Sequence, residues 1–417
     1  MQEAIATGLF AVVLGLVVTE RIHRTKVALA GAAIAVLAGL ISQEEAIEAI
    51  DWGVVGLLAG MMVLVWGTER TGVFTYLAIR VGQASRGRPA HLMFGLTGTT
   101  AIASAFLDNV TTILLVVPIT FVIADALDLD LIPLIIAEVI ASNLGGAATL
   151  IGDPPNIIIA GQSGLGFNDF LINVGPPALI SYVVVTAGLF IVFRRGLTPA
   201  PDRIDELGSL DASASLGPRR EVMIVLGCLG ATIVGFFAHS AVGLEPATIA
   251  LLGAALYLLL SGVEIDHPLA AIEWTTLFFF VGLFVVVGAL EVTGVLDRVT
   301  DWLAEATEGS PTTQALGILW GSALASGIVD NIPFTAAMAP VVDQLGAEGD
   351  ANWWALSIGA CYGGNFTLVA ASANLVAAGA LRRAGRELSF MRFLRVGVPA
   401  TIASMVVATL WIILVEV

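Results

Sequence analysis

Charged side chains are scarce in this sequence and lysine is almost missing: Lys26 stands alone beside 17 arginines. Only 12% of the 417 residues are charged, about half the ~25% of a soluble globular domain. That shortage excludes an ordinary water-facing surface. The balance is acidic, with 34 acids against 18 bases, which excludes nucleic acid as a partner. The two cysteines, Cys228 and Cys361, both lie in apolar stretches and match no metal or redox spacing, so buried thiols without a cofactor role are expected. No GxxxxGK[ST] loop is present, so ATP is not the direct energy source. No HExxH, GxSxG or paired-aspartate helix motif supports an intramembrane enzyme. The start, Met1-Gln2-Glu3, has no positive charge and no cleavage site stands out after it. It reads as the beginning of a first helix, not a removable signal.

What is abundant is apolar sequence. Apolar residues make up 57% of the chain and the mean hydropathy is +0.93. Runs that approach or reach the ~20 residues of a membrane crossing recur at residues 4–19, 27–41, 54–66, 171–193, 222–237, 277–290 and 396–414. The fold class expected is an all-α polytopic membrane protein with short loops.

The chain also repeats itself. At an offset of 222, Asp51-Trp52 meets Glu273-Trp274, Thr71-Gly72-Val73 meets Thr293-Gly294-Val295, Asp108-Asn109 meets Asp330-Asn331, and Pro118 meets Pro340. At 218, Gly145-Gly146 meets Gly363-Gly364, Thr149-Leu150 meets Thr367-Leu368, and Asn156 meets Asn374. The offset returns to 222 for Gly175 and Pro177 against Gly397 and Pro399. Matches held in register over such a distance mark an internal duplication. The first repeat covers 1–196, a polar cytoplasmic linker 197–221, and the second repeat 222–417.

Each half predicts three apolar helices, two limbs around the Asp-Asn dipeptide, an interrupted helix and a closing helix. The limbs, 94–107 and 110–124, are marginal for full crossings and read as a re-entrant hairpin with Asp108-Asn109 at its tip. Asp330-Asn331 takes that place in the second half. Each half then crosses an odd number of times, so the repeats are inverted. The distribution of basic residues agrees. With both termini outside, 17 of the 18 basic residues fall on the cytoplasmic side, including Arg86, Arg203 and Arg386, and only Arg298 falls outside. Glu45, Ser163 and Glu308 are then external. The segments 73–83 and 295–306 read either as amphipathic arms along the interface or as continuations of the preceding helices.

The stretch Asn143-Leu144-Gly145-Gly146-Ala147-Ala148-Thr149-Leu150-Ile151-Gly152-Asp153-Pro154-Pro155-Asn156 carries the chemistry. Consecutive prolines lack N–H groups and glycines permit unwinding. Freed backbone groups at membrane depth are tolerated beside a cavity or an ion. Broken helices at matching positions of two halves point to a transporter site. The counterpart at 363–374 keeps the glycines, Thr367 and Asn374 but has neither acid nor proline, and its small residues also suit tight helix packing. Asp108 and Asp330 either face the site or cap the helices that follow them. Glu138, alone in an apolar run, is either a proton carrier or a structural acid. No basic residue is expected at membrane depth. Two opposed hairpins favour a closed site with alternating access over the continuous pore of a channel.

The segments 108–112 and 143–156 resemble the signature of the arsenite-permease/sodium–proton antiporter family (ArsB/NhaD) of the ion transporter superfamily. The run Gly152-Asp153-Pro154-Pro155-Asn156 is nearest the melanosomal P protein branch. The resemblance covers essentially the whole chain. It implies a homodimer of scaffold domains flanking mobile transport domains, working as an elevator in the plasma or bacterial inner membrane. It implies a site built from Asn109, Thr111, Thr149, Asp153 and Asn156 with Asn331, Thr335, Asn365, Thr367 and Asn374. Arsenite permeases and silicon exporters tend to carry Asn-Pro-Gln where this chain has Asp153-Pro154-Pro155, a departure that favours a cation-linked role. The function expected is a proton-coupled sodium/proton antiporter, with Asp153 and Glu138 in proton coupling and sodium the one candidate bound ion. Metalloid efflux, as of arsenite, and sodium-coupled organic-anion transport are the alternatives.

Overall fold

The structure is a computed structural model that describes residues 1–417 except 20, 198–207, 209–210, 308–309 and 347–348. Arg203, Glu308 and much of the 197–221 linker lie outside the described residues. Among the described residues every regular element is helical, and seven helices are long and apolar enough to cross a membrane.

The first half opens with α1 (Gln2–Thr19), α2 (Arg24–Leu37), the short α3 (Gln43–Glu48) and α4 (Trp52–Arg70). After these come α5 (Val73–Ser85), α6 (Pro89–Phe106), α7 (Asn109–Leu127), α8 (Leu131–Ala147), α9 (Pro154–Ser163), α10 (Phe167–Asn173) and α11 (Gly175–Phe193). The second half runs through α12 (Arg219–Val242), α13 (Pro246–Ser261), α14 (Asp266–Ala271), α15 (Trp274–Val292), α16 (Val295–Ala306) and α17 (Pro311–Ile328). It closes with α18 (Asn331–Leu345), α19 (Ala351–Gly363), α20 (Ser372–Arg383) and α21 (Phe390–Trp411). Apart from α10, each helix of the first half has its counterpart in the second.

The duplication is also spatial, and the halves interlock. α4 packs on α13 of the other half, as α15 packs on α2. Both crossings need a glycine: a Cβ on Gly60 would sit 2.7 Å from the Ala250 carbonyl carbon, and one on Gly282 would sit 2.6 Å from that of Ala28. Real side chains do not tolerate such approach, so only the missing Cβ lets these backbones touch.

α5 and α16 are separate helices, not continuations. Gly72 and Gly294 break the chain before them with φ of +68° and +75°, a left-handed conformation that favours glycine. Each Asp-Asn dipeptide joins two helices, α6 to α7 and α17 to α18, but the limbs are longer than expected, and α7, at 19 residues, is itself long and apolar enough to span a membrane. Asp108 caps α7 by accepting from the Thr111 N–H at 2.8 Å, and Asp330 caps α18 by accepting from the Ile332 N–H at 3.0 Å. Both aspartates therefore hold the caps that their position before a helix implies. The interrupted helices are α8/α9 and α19/α20, with unwound links at 148–153 and 364–371. Large apolar side chains such as Leu179, Val234, Leu259 and Leu410 point outward from α11, α12, α13 and α21, a surface suited to lipid.

Candidate functional site

The two unwound links are tied in the same way. Asn156 donates from Nδ2 to the carbonyls of Ala147 at 3.0 Å and Thr149 at 2.8 Å. Asn374 donates to Gly364 O at 2.7 Å and Thr367 O at 2.9 Å. Each amide takes up carbonyls that lost their helical partners where the chain unwound. Thr149 donates to Ala105 O, and its counterpart Thr367 donates to Gly327 O at 2.8 Å. These hydroxyls fasten each link to the first limb of its own hairpin.

The halves then reach across to one another. Asn143 receives the Asn109 amide at 3.2 Å and donates to Asn365 Oδ1 at 2.9 Å and Asn374 Oδ1 at 3.1 Å. On the other side, Ser357 Oγ donates to Asn156 Oδ1 at 2.7 Å, and Cys361 Sγ lies 3.6 Å from the same oxygen. Asn143 and Cys361 occupy equivalent positions, 218 residues apart, and each contacts the asparagine of the opposite half. All of these side chains are buried, where an unpaired polar group would be costly. Cys361 is thus buried as expected, but among polar groups: Asp153 is also within its hydrogen-bonding reach.

Between the hairpin tips lies a cavity of about 30 Å³, room for an ion or a water or two. Its polar lining includes Asp108, Asn109, Asp153, Glu273, Asn331 and Arg24. Asp153 is 1% exposed and faces Asn331, whose Nδ2 lies 3.3 and 3.4 Å from the two carboxylate oxygens. The first broken helix and the second hairpin therefore meet at one carboxylate.

Not every expected ligand points into this space. Thr111 Oγ1 is bound to Asp108 Oδ2 at 2.5 Å in the cap of α7, and Thr335 Oγ1 donates back to Asn331 O at 2.8 Å. Thr149, Asn156, Asn365, Thr367 and Asn374 hold the links and join the halves. Of the ten expected ligands, Asn109, Asp153 and Asn331 line the cavity. Glu138 stands apart. Fully buried, it accepts from Thr120 Oγ1 at 2.5 Å, while its Oε2 has no hydrogen-bond partner.

Arg24, at the start of α2 and expected among the basic residues of the cytoplasmic side, also reaches the site: Nη1 donates to Ser372 Oγ at 2.7 Å and lies 3.5 Å from Asp330 Oδ2. Its guanidinium also lies 5.2 Å from the Phe279 ring centroid. Its position at a helix end suggested a residue of the cytoplasmic loop. The flexible arm also extends past Phe279 of apolar α15 to half-buried Asp330, which is how long basic side chains cross a short apolar distance. Sequence reasoning also passed over Glu273 and Ser357. Glu273 had a signal, since it matches Asp51 in the repeat; Ser357 had none.

The family model described as citrate transporter (CitMHS) matches residues 14–359. An uncharacterized transporter of Mycobacterium tuberculosis is 41% identical over 421 residues, covering 99% of this chain and 98% of the relative. The P protein of Homo sapiens is 33% identical over 504 residues, covering 100% of this chain and 60% of that protein. Among solved structures, the YdaH transporter of Alcanivorax borkumensis, reported for its unusual topology, aligns with a TM-score of 0.59 at 18% identity, covering 99% of this chain and 97% of that one.

Proposed function

The chain belongs to the citrate transporter family and is a membrane transporter, and from that premise we propose proton-coupled cation transport of the sodium/proton antiporter type. One observation carries this reading: the cavity between the hairpin tips is ion-sized and acidic. Asp108, Asp153 and Glu273 face it, and its single guanidinium, Arg24, is already paired with Asp330. Asp153 is buried and Asp108 and Glu273 are half-buried beside it, and acids gathered in such excess around a shielded space demand protons or cations. Asp153 is the group over which the two compete, because Asn331 donates to it without neutralising it. Occupation by one excludes the other, which is the requirement for exchange. Glu138 lies outside the cavity and serves, in this reading, as an accessory proton site. The protein works as a homodimer in the plasma or inner membrane with both termini outside, its hairpins and broken helices moving as a unit against α2, α4, α13 and α15.

A second reading, sodium-coupled organic-anion transport, is favoured by the description of the family model and by the presence of Arg24 in the cavity wall. Proteoliposomes with imposed proton gradients separate the two. Sodium or lithium should collapse the gradient in the absence of any organic anion. Silence with both cations, together with sodium-dependent uptake of citrate or a dicarboxylate, overturns the first reading and establishes the second; an arsenite arm tests the metalloid alternative.

A further inference from the structure

The site cavity has a neighbour. A second cavity, of about 340 Å³, is lined by Val17, Ile22, His23, Arg24, Asp330 and Ser372 among others, at the end of α1 and the start of α2. It shares Arg24 and Ser372 with the site cavity. A third cavity, of about 540 Å³, lies at the opposite ends of α4 and α12, lined by Asp51, Leu150, Gly161, His239 and Glu245. It shares no lining residue with the site cavity. The second cavity thus meets the site cavity at Arg24 and Ser372, whereas the third has no wall in common with it.

We propose that Arg24 is the gate on a route through the second cavity, its guanidinium held by Asp330 and Ser372 across the passage between that cavity and the site. The pair joins two bodies of the fold. Arg24 is carried on α2 and rests on Phe279 of α15, whereas Asp330 stands at the tip of the second hairpin and Ser372 at the start of α20. The side chains are 27% and 15% exposed, so the pair is shielded from water yet borders a cavity from which it can be solvated. Passage requires the guanidinium to leave Asp330 and swing aside. The repeat-related place has no equivalent: the positions matching Arg24 and Ser372 are Pro246 in the second half and Pro154 in the first, neither able to donate a hydrogen bond. The gate therefore serves one side only, whichever ion or solute is carried.

The test uses a cysteine at Ile332, a buried residue that lines the site cavity, in full-length protein reconstituted into vesicles of known orientation. Its modification rate is measured with a cationic and an anionic membrane-impermeant thiosulfonate, applied to each face, with the parent protein reporting any reaction of Cys228 and Cys361. Arg24→Gln and Asp330→Asn should each raise both rates at least ~10-fold, a barrier loss of about 1.4 kcal/mol, from the face that bears His23 alone. The exchanged pair R24D/D330R should return both towards the parent rate. Acceleration of the cationic reagent with slowing of the anionic one would mark Arg24 as a local charge only, and overturns the gate. So do unchanged rates in both variants, or equal acceleration from both faces.

Discussion

Between residues 147 and 156, and again between 364 and 374, an asparagine amide closes a loop of freed carbonyls, yet only the first loop carries an acid. The match extends to Thr149 and Thr367, fastened to Ala105 and Gly327, and to Asn156 and Asn374, each contacted from the opposite half. Three mismatches lie at the cavity, Asp153 against Ala371, Pro154 against Ser372 and Arg24 against Pro246, and a fourth, Glu138 against Leu356, lies apart from it. Backbone support is thus duplicated, and so are the acids Asp108/Asp330 and Asp51/Glu273, while Asp153 and Arg24 have no charged counterpart. Duplication alone would give a site with a two-fold axis and no preferred chemistry. The unequal side chains give it one carboxylate at the crossing and one guanidinium on one side.

The sharpest way to break this comparison is to exchange function at a mismatched pair. Asp153→Asn keeps the size and hydrogen-bonding capacity of the side chain but ends competition between proton and cation. Proton-driven cation exchange should fall at least ~100-fold, about 2.7 kcal/mol of coupling, in acridine-orange dequenching with everted vesicles. Ala371→Ser, at the equivalent position, should retain activity within about threefold, or ~0.7 kcal/mol. Full, pH-dependent sodium response in Asp153→Asn would remove the charge asymmetry from the mechanism.

Matched residues at the tips should behave alike but less severely. Asn109→Ala takes a donor from Asn143, and Asn331→Ala takes one from Asp153. Loss of one buried donor costs about 1–3 kcal/mol, so uptake should fall roughly 10- to 100-fold in each. Expression and elution on size exclusion should stay unchanged, because α7 and α18 are capped by the aspartates. Normal uptake in both variants would take the tips out of the site.

Matched glycines test the fold without touching the cavity. A Cβ on Gly145 would lie 2.2 Å from the Ala101 oxygen, and one on Gly363 would lie 2.6 Å from that of Ala323. Forcing a methyl into close-packed backbone costs about 1–3 kcal/mol. Both Gly145→Ala and Gly363→Ala should lower the detergent-solubilised Tm, the first more than the second. Equal stability to the parent would mean that the interrupted helices do not need their close seat against α6 and α17.

Much of this comparison was legible in the sequence because a duplication writes its support twice. Asn156 and Asn374, or Thr149 and Thr367, stand out by register alone. Proline and glycine located both unwound links, since their backbone effects are local. What stayed hidden depends on which side chains meet across 200 residues. Arg24 reads as a loop residue until its arm is seen against Asp330. Ser357 is one small residue in a helix of many. Thr111 and Thr335 have the right chemistry for ligands, but their hydroxyls are taken by Asp108 and by the backbone of Asn331. Short α3, α10 and α14 escaped because 6 or 7 residues are too few to show a helical period.

The smallest effect belongs to the mismatch farthest from the cavity. Glu138 is a whole acid set into α8 where the second half has Leu356, and it touches Thr120 of α7 through one oxygen only. Glu138→Gln preserves volume and lets the amide oxygen accept from Thr120 as before, while removing a titratable group. If Glu138 is an accessory proton site, transport at the pH optimum should change by less than about threefold, ~0.7 kcal/mol, and the pH dependence should shift. If the acid instead serves the packing of α7 on α8, Glu138→Leu, which leaves the buried Thr120 hydroxyl without this acceptor, should be less stable than the parent by about 1–3 kcal/mol in thermal unfolding, and Glu138→Gln should leave the pH profile where it was. A loss in Glu138→Gln as large as that in Asp153→Asn would place a second essential acid in the first half and extend the charge asymmetry beyond the cavity.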